Sequence, residues 1–284
     1  MEEKRNAPLR LFSQLQSDPI PTLIALLYEI PAILIALTLH ELAHGYVALR
    51  CGDPTAQMLG RLSFNPLRHL DPVGTLCMLL FGVGWAKPVP VNPRNFKHFR
   101  RDDLLVSLAG IVMNFLLFLF AMLVMLLLNQ LIFTPELWKM GELTTPRDFL
   151  SFEGWNFSSV FQGKQELFLY ARNGYGYYTE EFSQYVRVPW LLYLQRFFMN
   201  FAMVNLGLSL FNLLPVPPLD GYHVANDIFA KGKLRISQKV MNILVVALLV
   251  ICFATDFFSS FISQALIFVQ GGVLDALLWI FGLG

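Results

Sequence analysis

Long apolar runs separated by short polar segments dominate the chain. The clearest runs cover residues 19–49, 104–133, 190–214, 240–258 and 261–283. A helix needs about 20 apolar residues to cross ~30 Å of hydrocarbon, and each run meets or approaches that length. The pattern therefore predicts an all-α polytopic membrane protein with five to six transmembrane helices.

The apolar stretch at residues 71–85 is shorter, and it leads into the proline-rich sequence AKPVPVNP. Alternating prolines and valines are typical of an edge strand, because proline cannot donate to a strand ladder. Irregular backbone at membrane depth persists only where protein or a water-filled cavity surrounds it. We therefore expect residues 71–95 to form a re-entrant or β-hairpin segment near an active site.

Basic residues are concentrated in two connections, at 87–101 and 231–239, whereas the insert at 134–189 mixes its basic residues with acids. The positive-inside rule places both basic connections in the cytoplasm and the insert outside. The N-terminal tail, residues 1–18, with Lys4, Arg5 and Arg10, would then lie on the unexpected side. A tail that rests on the membrane, or a bent helix pair at residues 20–49, would remove this conflict.

The composition supports a membrane protein and excludes one class of partner. Only 14% of the residues are charged, and the mean hydropathy is +0.53. A net charge of +1 leaves no basic face to neutralise phosphates, so we expect no nucleic acid partner. The three scattered cysteines match neither a disulfide framework nor a CxxC metal site. The expected surroundings are a lipid bilayer.

The first apolar run contains the sequence HELAH, with His40, Glu41 and His44. Residues four apart share one face of a helix, so both imidazoles can bind one metal while Glu41 reaches its open side. This is the pattern of zinc hydrolases, in which a carboxylate takes a proton from the attacking water. A hydrogen-bonded histidine pair is the alternative, but ionisable groups inside apolar runs are costly and mark functional sites.

Catalytic zinc takes three protein ligands and leaves a position open, so one more ligand is required. The best candidate is Asp220, which follows the run at 190–214. Pro215, Pro217 and Pro218 prevent a regular helix just before it, which lets the carboxylate turn toward the first helix. The sequence therefore predicts a zinc site formed by His40, His44 and Asp220.

Other ionisable residues have simpler interpretations. We interpret His69 and Asp71 as a pair that stabilises a loop, and His223 as a residue beside the site. Glu29 lies eleven residues before His40, about three helical turns, which is beyond coordination distance. The acids Asp102, Asp103 and Asp227 are interpreted as interfacial charges near the basic loops.

These motifs resemble the site-2 protease class of intramembrane zinc metalloproteases, peptidase family M50, in its compact prokaryotic form. The hallmark HExxH stands here as residues 40–44, and N-x-x-P-x-x-x-L-D-G stands complete as residues 212–221. The resemblance implies that His40, His44 and Asp220 bind one zinc ion per chain and that Glu41 is the general base. It further implies that Asn212 and Pro218 position the substrate.

A third family feature is matched in part. Ala109, Gly110 and Asn114 are present in the middle apolar run, but Ile111 stands where Gly-Pro would be usual. The resemblance thus implies a substrate-positioning role for Asn114. The likeness covers about residues 30–225, and the insert and the last two apolar runs are not assigned by it. We expect a tail at 1–18, a protease core at 19–225 that includes the insert, and C-terminal transmembrane segments at 226–284.

The expected function is zinc-dependent hydrolysis of peptide bonds in membrane-spanning or membrane-adjacent proteins, as in regulated intramembrane proteolysis. The expected location is the cell membrane, with the active site toward the cytoplasm. Two alternatives stay open. A transporter or channel would use the buried His, Glu and Asp side chains for ions or protons. A membrane-anchored protease with a soluble cleft would need a polar, amphipathic motif helix.

Overall fold

The computed structural model describes residues 16–17, 19–72, 74–75, 86–139, 146–152, 169–170, 176–177, 184–234, 236–254 and 256–283. Most of the predicted tail at 1–18, and residues 73 and 76–85 of the predicted re-entrant segment, lie outside the described residues.

The described residues are mostly helical, as predicted. The helices are α1 (Pro19–Arg50), α2 (Thr55–Met58), α3 (Phe99–Ile132), α4 (Pro146–Leu150), α5 (Leu191–Asn212), α6 (Asp220–Phe229), α7 (Gln238–Ala254) and α8 (Asp256–Ile280). Single turns of 3-10 helix lie at Pro66–Arg68, Pro93–Asn95 and Leu137–Lys139. Strands β1 (Leu169–Tyr170) and β2 (Gly176–Tyr177) form one short antiparallel pair.

Three helices among the described residues are long and apolar enough to cross a membrane, over Thr22–Arg50, Phe99–Ile132 and Ser260–Ile280. The predicted membrane protein is confirmed at this level, while the count of five to six crossings stays a prediction. Helix α5 is not among the three, and it carries several polar residues: Gln195, Arg196, Asn200 and Asn205.

Helix α1 continues unbroken through Pro31. Residues 20–49 therefore lie in one helix rather than in a pair of helices, and the side of the membrane on which the N-terminal tail lies stays a prediction. The HELAH motif of α1 lies inside the apolar run that makes this helix a candidate membrane span. This is the opposite of the polar motif helix that a soluble catalytic cleft would require.

Helix α3 is the centre of the fold. It packs along α1 and α5, and their shared core contains the buried side chains of Phe118, Met122 and Leu206. Helices α3 and α5 are antiparallel, since the Gln195 amide donates to Asn129 at one end and Ser209 donates to the Ile111 carbonyl at the other. The candidate site therefore lies beside α3, which contacts both α1 and α5.

The insert at 134–189 leaves and returns at one point beside the end of α3. The Thr134 N–H donates to the Tyr185 carbonyl over 2.9 Å, and the Arg187 N–H donates to the Ile132 carbonyl over 2.7 Å. These bonds hold the two ends of the insert side by side. Its attachment thus leaves the helix packing of the core uninterrupted.

Candidate metal centre

The three predicted ligands converge on one point. The Nε2 atoms of His40 and His44 are 3.0 Å apart, and each lies 3.2 Å from Oδ2 of Asp220. All three potential ligand atoms lie within 4.8 Å of one another. Both imidazoles come from adjacent turns of α1, whereas the carboxylate arrives on the first residue of α6, far along the chain.

A backbone carbonyl of α3 orients His44. The Nδ1–H of His44 donates to the Val106 carbonyl over 2.7 Å. A carbonyl can only accept, so the proton lies on Nδ1 and the lone pair of a neutral imidazole lies on Nε2, which faces Asp220. Such outer contacts fix the tautomer of metal-ligating histidines.

Gly110 of α3 allows the close approach of the two imidazoles. A Cβ at this position would lie closer than 3.0 Å to atoms of both His40 and His44. No side chain larger than hydrogen fits without displacing a ligand. The site therefore requires glycine at this position for steric reasons. Gly110 lies one helical turn from the buried Asn114.

Glu41 is held by the proline-rich segment. Its Oε2 accepts the Val89 N–H over 2.7 Å, and both residues are buried. The described part of the segment runs antiparallel to Leu70 at Ala86, where the Lys87 N–H donates to the His69 carbonyl over 2.8 Å. The described part of AKPVPV thus has one β-bridge, at Ala86, and its backbone lies against the predicted base, while the re-entrant or β-hairpin segment at 71–95 stays a prediction.

Asp53 fastens this segment to the end of α1. Its side chain is fully buried, with Oδ2 accepting the Asn92 N–H and Oδ1 accepting the Asn95 amide, each over 2.7 Å. Oδ1 also accepts from the backbone and hydroxyl of Thr55. Burial raises the pKa of Asp53, but these hydrogen bonds lower it by a larger amount, so the net shift is downward.

Asp220 is positioned by the start of α6. A Cβ on the next residue, Gly221, would lie closer than 3.0 Å to the backbone of Leu213 and Leu214, so the chain can turn this tightly only with glycine there. Burial raises the pKa of Asp220, yet the two imidazoles beside its Oδ2 lower it more, so the net shift is downward. The carboxylate therefore stays ionised in the protein.

The three residues expected to position substrate have different environments. Asn114 is fully buried, and neither atom of its amide has a hydrogen-bond partner among the described residues. The Asn212 amide donates to the Leu208 carbonyl of its own helix over 3.0 Å, and Pro218 is exposed. Only Asn114 therefore offers a buried, unpaired polar group, and the three positioning roles stay predictions.

His69 and Asp71 each bond to the loop backbone, and the described structure shows no hydrogen bond between the two. His69 is fully buried and its Nε2–H donates to the Ser63 carbonyl over 2.8 Å. Asp71 accepts the Gly74 N–H over 2.8 Å, as a turn-forming acid does. His223 lies 3.6 Å from Asp103 rather than among the three ligands, and Glu29 is exposed on α1.

The interpretation of the other acids as interfacial charges is wrong for two of them. Asp102 is buried, and its carboxylate accepts the His98 N–H over 2.7 Å at the start of α3. Asp227 is buried in α6 at 1% exposure. Sequence patterns place charges near a membrane boundary, but they do not show which of them a neighbouring helix covers.

The resemblance named Asn114, but sequence reasoning missed the steric role of Gly110 and the anchoring role of Asp53. Gly110 and Asn114 stand at helical spacing on α3, a signal that could have indicated a shared face. Asn205 of α5 is also fully buried, and its side-chain oxygen has no partner among the described residues. The anchoring role of Asp53 gave no signal, because the two segment residues that it binds, Asn92 and Asn95, lie about forty residues along the chain.

The donor set fits a zinc ion. Two imidazole nitrogens and one carboxylate oxygen are the ligands of known catalytic zinc sites. Oδ2 of Asp220 is buried and has no other hydrogen-bond partner among the described residues, so the arrangement leaves its lone pairs for a cation. The bare backbone at Gly110 further lets both rings face the same point.

Comparisons with known proteins agree with this chemistry. The sequence model described as peptidase family M50 matches residues 28–255. The chain is also similar to the "Putative zinc metalloprotease YwhC" of Bacillus subtilis (strain 168). The two are 34% identical over 205 residues, which cover 72% of this chain and 70% of the relative. No solved structure gives a significant match. The chain therefore belongs to peptidase family M50.

Proposed function

We propose that this protein is an intramembrane zinc metalloprotease of the site-2 protease type. Its substrates are membrane-spanning or membrane-adjacent proteins, and its reaction is the peptide-bond hydrolysis of regulated intramembrane proteolysis. The observation that carries the proposal is the convergence of His40, His44 and Asp220 beside Glu41 within a candidate membrane helix. Membership of a peptidase family favours this function over the transporter alternative.

His40, His44 and Asp220 would hold one zinc ion per chain. A bound zinc ion supplies Lewis acidity, polarising a carbonyl and making water acidic enough to lose a proton near neutral pH. His44 would bind through Nε2, because the Val106 carbonyl holds its proton on Nδ1. Asp220 contributes the negative charge of the ligand set.

Glu41 would serve as the general base. The Val89 N–H binds its Oε2 and fixes the orientation of the carboxylate, which leaves Oε1 to accept the proton of the attacking water. A buried base with one oxygen fixed in this way loses little freedom when the reaction begins. Asn114, Asn212 and Pro218 would position the substrate near this carboxylate.

The extended segment at 86–92 is the proposed receiving edge for an unwound substrate. An exposed strand edge pairs with an extended peptide through main-chain hydrogen bonds. The Val89 N–H is engaged by Glu41, so pairing would use other backbone groups of the segment. Substrate binding and orientation of the base are therefore linked through one short stretch of chain.

The proposed location is the cell membrane, with several crossings and the site toward the cytoplasm. The tail at 1–18, the core at 19–225 and the transmembrane segments at 226–284 remain the proposed division of the chain. Lipid and a membrane protein substrate are the proposed partners. The basic connections on either side of the metal centre support this orientation.

Glu41→Gln is the decisive test. The full chain would be purified in detergent, its zinc measured by elemental analysis, and its activity followed by co-expression with a panel of tagged single-span membrane proteins. We expect wild-type zinc content and a loss of cleavage of about 10²–10⁴-fold, the usual contribution of general base catalysis. Cleavage at the wild-type rate by this variant would overturn the proposal.

Glu29→Gln provides the matched control. It makes the same chemical change on the same helix, but at an exposed position eleven residues before His40. We expect it to retain both zinc and cleavage. A wild-type protein without zinc would also contradict the proposed function.

A further inference from the structure

A second group of ionisable residues joins the helix of Asp220 to α3. Asp103 lies on α3, while His223 and Asp227 follow Asp220 on α6 at intervals of three and four residues. This spacing places all three α6 side chains on one face of the helix. The proposed reaction uses only the first of them.

Asp227 is the unusual member of the group. Its side chain is 1% exposed, and neither carboxylate oxygen receives an N–H or O–H hydrogen bond from the described residues. Arg100 donates to the backbone carbonyl of Asp227 over 2.6 Å and does not bind its carboxylate. A buried carboxylate without a donor is costly, whereas a protonated carboxyl can itself donate.

Asp103 provides an acceptor for that proton. Burial, followed by the negative charge of Asp103, raises the pKa of Asp227 to about 6, although His223 and Arg100 act in the opposite direction. These are the charged groups that face Asp227: Asp103 and Arg100 on α3, and His223 on its own helix. Two adjacent carboxyl groups in an enclosed site cannot readily both ionise.

We infer that Asp227 and Asp103 share one proton, with Asp227 as the donor, and that this hydrogen bond positions α6 and hence Asp220. Asp227 is thus a positioning residue for the metal ligand. The inference rests on the proposed function only for its effect on catalysis. Loss of the proton would leave two carboxylates facing each other between α3 and α6 and would weaken the contact between these helices.

The surroundings of the pair support this role. Arg100 also donates to the Ile228 carbonyl over 3.3 Å, so it caps the last turn of α6. Gly232 adopts a positive φ of 71°, and a Cβ there would lie 3.2 Å from Oδ1 of Asp227. The turn after α6 therefore lies against the Asp227 carboxyl.

Helix α3 consequently holds all parts of the centre on one stripe. Arg100 and Asp103 hold α6, the Val106 carbonyl orients His44, and Gly110 receives both imidazoles. A shift of α6 on this stripe would move Asp220 relative to two ligands that α3 itself keeps in place. The proton on Asp227 is thus linked to the geometry of the ligand set.

The test measures thermal unfolding of the zinc-loaded full chain in detergent between about pH 4.5 and pH 8, in a Glu41→Gln background. Because the pKa is raised, the stability from the bound proton is present below about pH 4 and lost as pH rises through about 6. Asp227→Asn donates a hydrogen bond at every pH. We expect its Tm to match the parent near pH 4.5 and to exceed it by about 3 °C or more at pH 7.5.

Asp227→Ala separates positioning from a general effect of the substitution. It leaves Asp103 without its donor, so we expect zinc affinity about tenfold weaker than in Asp227→Asn, measured by competition with a chromogenic chelator. Asp275→Asn, an exposed carboxylate paired with Arg147, is the control and should keep the parent's pH dependence. If Asp227→Asn does not fold, Asp103→Asn carries the same test, since either amide replaces the shared proton.

The inference is overturned if Asp227→Asn parallels its parent across the pH range. Equal zinc affinity in the Ala and Asn variants would also overturn it. Neither measurement uses cleavage, so a wild-type protein that cut no substrate would refute the proposed function and leave this comparison intact.

Discussion

Helix α3 and the extended segment at residues 86–92 hold the metal centre in different ways. Helix α3 contacts the ligands through its own regular backbone, at the Val106 carbonyl and the bare Cα of Gly110. The segment has no regular structure of its own beyond one bridge at Ala86. Side chains from elsewhere, those of Glu41, Asp53 and Arg61, hold its backbone in place.

The difference separates two requirements of the proposed chemistry. Metal ligands must keep a fixed geometry, which a packed helix provides because its hydrogen bonds are internal. A receiving edge must leave backbone groups available to a peptide, which an irregular segment anchored at a few points provides. Substitutions on α3 should therefore affect metal binding first, whereas substitutions around the segment should affect the base and the substrate.

Gly110→Ala tests the helix directly. The new methyl would lie closer than 3.0 Å to atoms of both His40 and His44, so at least one imidazole must leave its position. We expect loss of stoichiometric zinc and a fall in cleavage of more than about 100-fold, the upper range for disturbed ligand support. Elemental analysis and cleavage assays measure the two effects.

Gly207→Ala is the matched control on α5. A Cβ at this position meets nothing within 4 Å, so the substitution should be neutral or stabilise by about 0.4–1 kcal/mol. Normal zinc content in Gly110→Ala would show that α3 does not support the ligands in the way described.

Asp53→Ala tests the anchor of the segment. The change leaves the Asn92 N–H and the Asn95 amide without an acceptor, and we expect a destabilisation of about 3 kcal/mol. Because the pKa of Asp53 is lowered, its contribution is present above the ordinary carboxyl value and is lost as pH falls below it. Denaturation at neutral and acidic pH should therefore differ less in the variant than in the wild type.

Asn65→Ala is a useful reference in the same region. Asn65 accepts the Leu67 N–H at an exposed 3-10 turn, so its loss should cost only about 1 kcal/mol and show no acid dependence. If the Asp53 variant were destabilised no more than this reference, Asp53 would not anchor the segment.

The sequence predicted the ligand set from two signals. His40 and His44 are four apart on one helix, and Asp220 follows a proline-broken segment and completes a family motif; the structure places it 3.2 Å from both histidines. The anchors of the segment could not be predicted in this way. Val89 meets Glu41 across 48 positions, and no helical or strand period links residues so far apart.

Val89→Pro tests the contact between the segment and the base. Proline removes the N–H that binds Oε2 of Glu41, while the backbone before it is already extended. We expect cleavage to fall about tenfold, the value of one hydrogen bond to a charged group, with zinc retained. Val91→Pro is the companion variant, because it removes a backbone donor of the same segment without touching Glu41. A loss in both variants would support substrate pairing, and unchanged cleavage in both would remove the segment from the mechanism.

Arg61→Ala should have a smaller effect, because Arg61 touches only the outer side of the segment. Its guanidinium donates to the carbonyls of Lys87 and Pro88 over 2.8 and 3.2 Å in a solvent-accessible region. Such a contact contributes about 1 kcal/mol, so we expect cleavage to fall roughly fivefold and zinc content to stay the same. Arg61→Lys keeps the charge, but its ammonium lies on a shorter side chain than Nη2 of Arg61, which donates to both carbonyls, so it should recover only part of the activity. A loss of zinc in either variant would mean that the segment and α3 do not act separately, which is the distinction on which the two-part description of the site depends.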